Sequence, residues 1–180
     1  MTITFDLARW AGPIDDADAT VLDRCVPPVL DIGCGPGRFV LALAERGQAA
    51  LGVDITGSAV QLTRRHGAPA LHRDVFARTP GEGRWPTALL MDGNIGIGGD
   101  PARLLRRVRG LLRTDGRLLV EVHPRPDADD RRRVRFRARG PAFPWAEIGL
   151  ATLEREAVPA GYAIGDVWSV DGRSFVLLRL

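Results

Sequence analysis

Apolar and polar positions fall into two alternating rhythms along the chain. Short, nearly continuous apolar runs, "PVLDIG", "AALGVD", "TALLMDG" and "RLLVEV", read as strands buried on both faces. "ALHRDV" reads as a further short strand, third in order. Between the runs, apolar residues recur three and four positions apart. "RFVLALAERG" places Phe39, Val40, Leu43 and Ala44 on one helical face, with Gly47 as the stop. "TGSAVQLTRRHG" runs as a helix from Thr56 to Gly67. "DPARLLRRVRGLLRTDG" has Asp100 as cap, Pro101 at the first position, and a stripe of Leu104, Leu105, Val108, Leu111 and Leu112. A last helix is expected from Trp145 to Ala157. "YAIGDVWSVDGRSFVLLRL" then reads as a hairpin turning at "VDGR". Alternating strands and helices imply an α/β fold with a mostly parallel sheet between helical layers, and the closing hairpin adds an antiparallel strand.

The length, 180 residues, fits one domain with a core of its own. No apolar run approaches the roughly 20 residues that span a bilayer, and "MTITFDLARW" lacks the pattern of a signal peptide. Cys25 and Cys34 make neither a disulfide framework nor a metal cluster. A cytoplasmic protein with no bound metal is the expectation. Every basic residue is arginine. The net charge is +3, yet "RRRVRFRAR" at 131–139 contributes six arginines and no acid, so the remainder is net acidic.

"VLDIGCGPGRFV" carries the candidate chemistry. Gly33, Gly35 and Gly37 sit between a strand and a helix, where bare backbone lets a ligand approach the sheet edge. The dinucleotide pattern G-x-G-x-x-G fails here, because Arg38 stands where its third glycine belongs. Asp31, just before the loop, would repel a pyrophosphate and could receive an ammonium group.

In these residues the sequence resembles the class I S-adenosylmethionine-dependent methyltransferases. "LDIGCGPGRF" matches the first motif of that family, with Asp31, Gly33, Cys34, Gly35 and Gly37. "LGVDIT" supplies Asp54 for the ribose hydroxyls and Ile55 against the adenine. "HRDVF" supplies Asp74 for the adenine amino group and Val75 beside the ring. "LLMDGNIG" places Asp92, Gly93 and Asn94 by the methionine end and the acceptor. The resemblance covers residues 26–123 well and the closing hairpin moderately. It implies a three-layer Rossmann-like sandwich whose mostly parallel seven-stranded sheet ends in a C-terminal antiparallel hairpin strand. It also implies S-adenosylmethionine as methyl donor and S-adenosylhomocysteine as product. Residues 1–25 are expected to be a lid or substrate segment in which Trp10 is prominent, and 124–148 a substrate-side insertion, all within a single domain of 1–180.

Methyl transfer from a sulfonium is an in-line displacement in which alignment and exclusion of water supply much of the effect. A base is needed only when the nucleophile arrives protonated. His123, in "VEVHP", is the candidate base, with Asp92 a second catalytic candidate. His66, His72 and Glu121 look less well placed. "DGNI" at the fourth motif, in place of an NPPY-like run, argues against amino-methylation of adenine or glutamine amides. The arginines at 133, 135, 137 and 139 alternate with Val134, Phe136 and Ala138, which puts them on one strand face. They fit a charged edge strand, an anionic small-molecule acceptor, or a nucleic-acid contact. Phe143 and Trp145 fit a pocket roof or, slightly better, the core. The expectation is a methyltransferase for a small-molecule acceptor. RNA or protein methylation and a non-catalytic S-adenosylmethionine-binding regulator are the alternatives.

Overall fold

Side chains on successive strand residues point to opposite faces, and here both faces are apolar. Leu30, Ile32, Ala88, Leu90, Leu118, Val120, Val176 and Leu178 belong to one buried cluster, whereas Val29, Leu89, Met91, Leu119, Phe175 and Leu177 belong to another. The sheet is thus sandwiched between two helical layers. The computed structural model describes residues 10–135 and 141–180.

The strands are β1 (Val29–Ile32), β2 (Ala50–Asp54), β3 (Ala70–His72), β4 (Trp85–Leu90), β5 (Leu112–Val122), β6 (Asp129–Arg135), β7 (Ala142–Ile148), β8 (Ala163–Val170) and β9 (Arg173–Arg179). The helices are α1 (Asp16–Leu22), α2 (Arg38–Glu45), α3 (Gly57–Arg65), α4 (Pro101–Leu111) and α5 (Leu150–Ala157). Seven strands form one sheet in the order β3-β2-β1-β4-β5-β9-β8, and β6 and β7 form a separate two-stranded sheet. Pairing is parallel from β3 across to β5, and antiparallel from β5 to β9 and from β9 to β8. The expected Rossmann-like architecture and its antiparallel closing hairpin are both present. Strand order reverses between β1 and β4, and such a switch point opens a crevice at the carboxyl edge of the sheet.

Ala17, Val21 and Leu22 of α1 and Phe39, Ala42 and Leu43 of α2 cover one face, while Leu104, Leu105, Val108 and Leu111 of α4 and Leu153 and Ala157 of α5 cover the other. Among the described residues, no helix is long and apolar enough to cross a membrane.

Three local expectations change. The buried face of α2 uses Ala42, whereas Ala44 is exposed. Leu112 opens β5 instead of ending α4, although it remains buried. Residues 145–148 are strand, not helix: β7 pairs antiparallel with β6, and α5 begins only at Leu150. The alternation of Phe143, Trp145, Ala146 and Ile148 between half-buried and buried suits a strand with one face on the core. Among the alternating arginines, Arg133 and Arg135 lie in β6; Phe136, Arg137, Ala138 and Arg139 lie outside the described residues.

Candidate active site

The crevice holds a cavity of about 580 Å³, within the usual range for small-molecule sites. Its floor is the carboxyl ends of β1 and β2 and the loops that follow β3 and β4: Asp31 to Pro36, Val53 to Thr56, Arg73 to Phe76, and Met91, Asp92 and Asn94 line it. Its far wall is Trp10, Ile97, Gly98 and the Phe143–Pro144–Trp145 stretch of β7.

The glycine loop is shaped by backbone need. Gly33, Gly35 and Gly37 all have positive φ, +73°, +53° and +90°, which side chains resist. Their roles differ. A Cβ at Gly35 would meet open space, so its bare backbone faces the cavity. A Cβ at Gly33 would strike the Asn94 side chain, whose Nδ2 donates to the carbonyls of Ile32 (3.0 Å) and Gly33 (2.9 Å). Gly37 does not line the cavity; it gives room for Thr63 of α3, which donates from Oγ1 to the Gly35 carbonyl. Cys34 lines the cavity and packs its sulphur where a side chain on Gly52 would collide. Burial pushes its thiol far up, so it is no thiolate nucleophile.

Asp54 braces the loop: its Oδ2 accepts from the Gly35 amide (2.8 Å) and its Oδ1 from Thr56 (2.7 Å). Beside it, Ile55 is 69% exposed and lines the cavity with an apolar surface. His72 Nε2 lies 2.8 Å from the Ile55 carbonyl. Asp74 accepts from the Phe76 amide (2.9 Å). Behind this loop, Arg107 of α4 donates to the carbonyls of Val75 and Ala77, both at 2.7 Å, and to Glu82 at 2.6 Å. That hydrogen bond holds the Glu82 carboxyl below its ordinary range. Arg103 lies over the Phe76 ring, 4.1 Å from its centroid.

At the other end stands a cluster of charges. Arg38 gives both Asp92 oxygens a hydrogen bond, at 3.0 and 2.9 Å, and its Nε lies 3.3 Å from Asp18. Arg173 of β9 grips Glu121 with two bonds of 2.8 Å and bonds Asp18 at 2.8 Å and Asp15 at 3.1 Å. Glu121 also accepts from the Asp92 amide at 2.8 Å. Asp92 is held at φ +53°, a conformation uncommon outside glycine and typical of functional sites. Asp31, 2% exposed, is pushed up to about 7 by burial first, then by Asp92 and Asp54 against the lowering effect of Arg38.

The structure therefore brings Asp31, Gly33, Cys34, Gly35, Asp54, Ile55, Asp74, Val75, Asp92 and Asn94 around one cavity, and Trp10 joins them. Gly37, Gly93 and His123 lie outside its lining. His123 continues β5 and accepts at Nδ1 from the Arg125 amide. Phe143 and Trp145 face the cavity, contrary to the favoured core reading. The roles of Arg38 and Arg173 were not foreseen, and Glu121 entered only as a less well placed base candidate. In the sequence Arg38 registered only as a misfit to the dinucleotide pattern. Arg173 has no local signal, since its acidic partners are 52 to 158 residues away.

A family model described as a methyltransferase domain matches residues 8–148. The chain belongs to this methyltransferase family. The methyltransferase also shares its fold with solved S-adenosylmethionine-dependent enzymes. One from Bacteroides fragilis, in complex with S-adenosylhomocysteine, is similar at 23% identity and TM-score 0.76, over 96% of this chain and 79% of that one. The 1,6-didemethyltoxoflavin-N1-methyltransferase of Burkholderia thailandensis is similar at 21% identity and TM-score 0.63, over 84% and 69%. A glycopeptide N-methyltransferase complexed with S-adenosylhomocysteine is similar at 15% identity and TM-score 0.69, over 100% and 90%. Family and fold agree on a class I S-adenosylmethionine-dependent methyltransferase.

Proposed function

We propose that this methyltransferase holds S-adenosylmethionine along the cavity floor and methylates a small-molecule acceptor by in-line displacement. The observation that carries the reading is a graded floor: open backbone at Gly35, a braced Asp54 carboxylate, an exposed apolar Ile55, and buried Asp31 beyond them. This donor set fits an adenosyl sulfonium with an amino-acid end. Asp54 would take the ribose hydroxyls, Ile55 and the Asp74–Val75 loop the adenine, and Asp31 the ammonium of the methionine end. The bound donor supplies a methyl group already activated on a sulfonium. The chain's own task is to hold and orient the partners and keep water out. Trp10 and the β6–β7 hairpin serve the acceptor side.

Among the described residues of the arginine segment, those at 131–133 favour a small acceptor over RNA. Arg131 pairs with Asp129 and Glu156, Arg132 with Asp130 and Glu147, and Arg133 donates to the Ala142 carbonyl. The B. thailandensis enzyme, similar in fold, has a small-molecule acceptor.

Calorimetric titration with S-adenosylmethionine and S-adenosylhomocysteine tests the reading, with NADH as control. Both should bind and NADH should not. Asp54→Ala should weaken both about a hundredfold, the order expected for two lost charge-assisted hydrogen bonds. A folded protein that binds neither ligand, or binds NADH as well, sinks the proposal.

A further inference from the structure

Bare backbone at Gly35 faces the cavity, so the setting of its peptides decides what a ligand meets there. The Gly35 amide is held by Asp54 at 2.8 Å. The next peptide unit joins Gly35 to Pro36 and carries no N–H, because proline has none. Its carbonyl is the one backbone group that can fix its plane by hydrogen bonding. Two side chains reach that carbonyl, Thr63 Oγ1 at 3.1 Å and Cys34 Sγ at 3.7 Å, and the thiol is the weaker donor. Thr63 is fully buried in α3. Its neighbours Ala59 and Leu62 line the cavity and Thr63 does not, so the carbonyl it holds is turned toward α3 and off the ligand's space. The same hydroxyl also donates to the Ala59 carbonyl, four residues earlier, at 3.1 Å. That backward bond is a common habit of threonine within a helix; the reach across 28 residues to the glycine loop is not local. The methyl branch has a separate task. A Cβ on Gly37 would overlap it, so methyl and glycine together seat α3 against the loop.

We propose that Thr63 is a positioning residue for the methyl donor: its hydroxyl fixes the Gly35–Pro36 peptide with the carbonyl away from the cavity, while its methyl seats α3. The proposal rests on the methyl-donor reading above and concerns a residue outside the cavity lining. Without the hydroxyl, the thiol alone holds the Gly35 carbonyl, and the peptide populates more than one setting. A ligand that needs one of them then binds more weakly, in proportion to the fraction of molecules in that setting. The two branches of the side chain separate the roles: the hydroxyl governs affinity and the methyl governs packing.

The test is calorimetric titration with S-adenosylhomocysteine at a temperature where the melting curve shows each protein fully folded, so that global stability does not enter the affinity. Thr63→Val keeps the branched shape and the methyl and removes the donor; its affinity should fall about tenfold, the order of one net hydrogen bond. Thr63→Ser keeps the donor and removes the methyl; its affinity should stay within about threefold of the parent. Should the valine variant not fold, Thr63→Ala replaces it with the same expectation, and the serine variant remains its control. An unchanged affinity without the hydroxyl, or an equal loss in the serine variant, overturns the positioning role while the donor reading stands. A parent protein that binds no S-adenosylhomocysteine overturns both.

Discussion

Asp31 shows what one residue does when the fold buries it for a purpose. Its folded value, about 7, lies above the unfolded 3.8, so the folded chain binds the proton more tightly. Stability is therefore fullest below pH 3.8 as far as this group is concerned, and declines as pH rises towards 7. Holding the carboxylate ionised above pH 7 costs about 4 kcal/mol. Asp31→Asn should accordingly raise the melting temperature at pH 8 while weakening S-adenosylhomocysteine. The affinity of the parent protein should be flat above about pH 8 and fall by up to about tenfold per unit below 7, because the proton must leave before an ammonium can be received. Calorimetry from pH 6 to 9 reads this; a flat profile would mean that Asp31 does not take the ammonium. Asp31 was legible in the sequence because strand, acid and glycines are contiguous. Arg38, seven residues on, was visible but mute, since its partner Asp92 is 54 residues away and the pairing exists only once β1 and β4 lie side by side.

At the scale of elements, α4 does more than cover the sheet. Its amphipathic stripe and Asp100 cap were plain in the sequence, and so was its buried face. Its opposite edge was not, because an arginine among four in one helix carries no mark of its target. Arg107 closes on three acceptors of the 75–82 loop. Arg107→Met should loosen that loop and weaken S-adenosylhomocysteine about tenfold. The loss should be specific to the base: discrimination between S-adenosylhomocysteine and its inosine analogue should shrink, while a merely structural role would lower the melting temperature and leave the ratio intact. The hairpin of β6 and β7 was misread for a related reason. "WAEIGLATLEREA" has helical spacing throughout, and only pairing with β6 pulls its first residues into a strand.

For the whole molecule, the mostly parallel seven-stranded sheet with its antiparallel closing hairpin was readable from the alternation and the resemblance, but the charge cluster that joins its parts was not. Arg173 is 9% exposed and serves Asp15, Asp18 and Glu121, from the cap of α1, α1 itself and β5. Removing one member of a buried ionic cluster leaves the others uncompensated, which typically costs about 3–5 kcal/mol. Arg173→Met should lower the urea midpoint accordingly with an unchanged slope. Arg173→Lys should recover only part, since a single ammonium cannot grip Glu121 through two parallel bonds. A loss within 0.5 kcal/mol for the methionine variant would show the cluster to be dispensable for folding.

The place of that arginine in the chain sets an order of events during synthesis. Asp18, Arg38, Asp92 and Glu121 emerge from the ribosome before residue 173 does, and domains fold as units while the chain is made. Until the final hairpin arrives, β5 has an open edge and Glu121 lacks the two bonds that Arg173 gives it. A nascent chain stalled at residue 160 would hold every glycine and acid of the cavity floor and still lack the cation that ties β5 to the first helix.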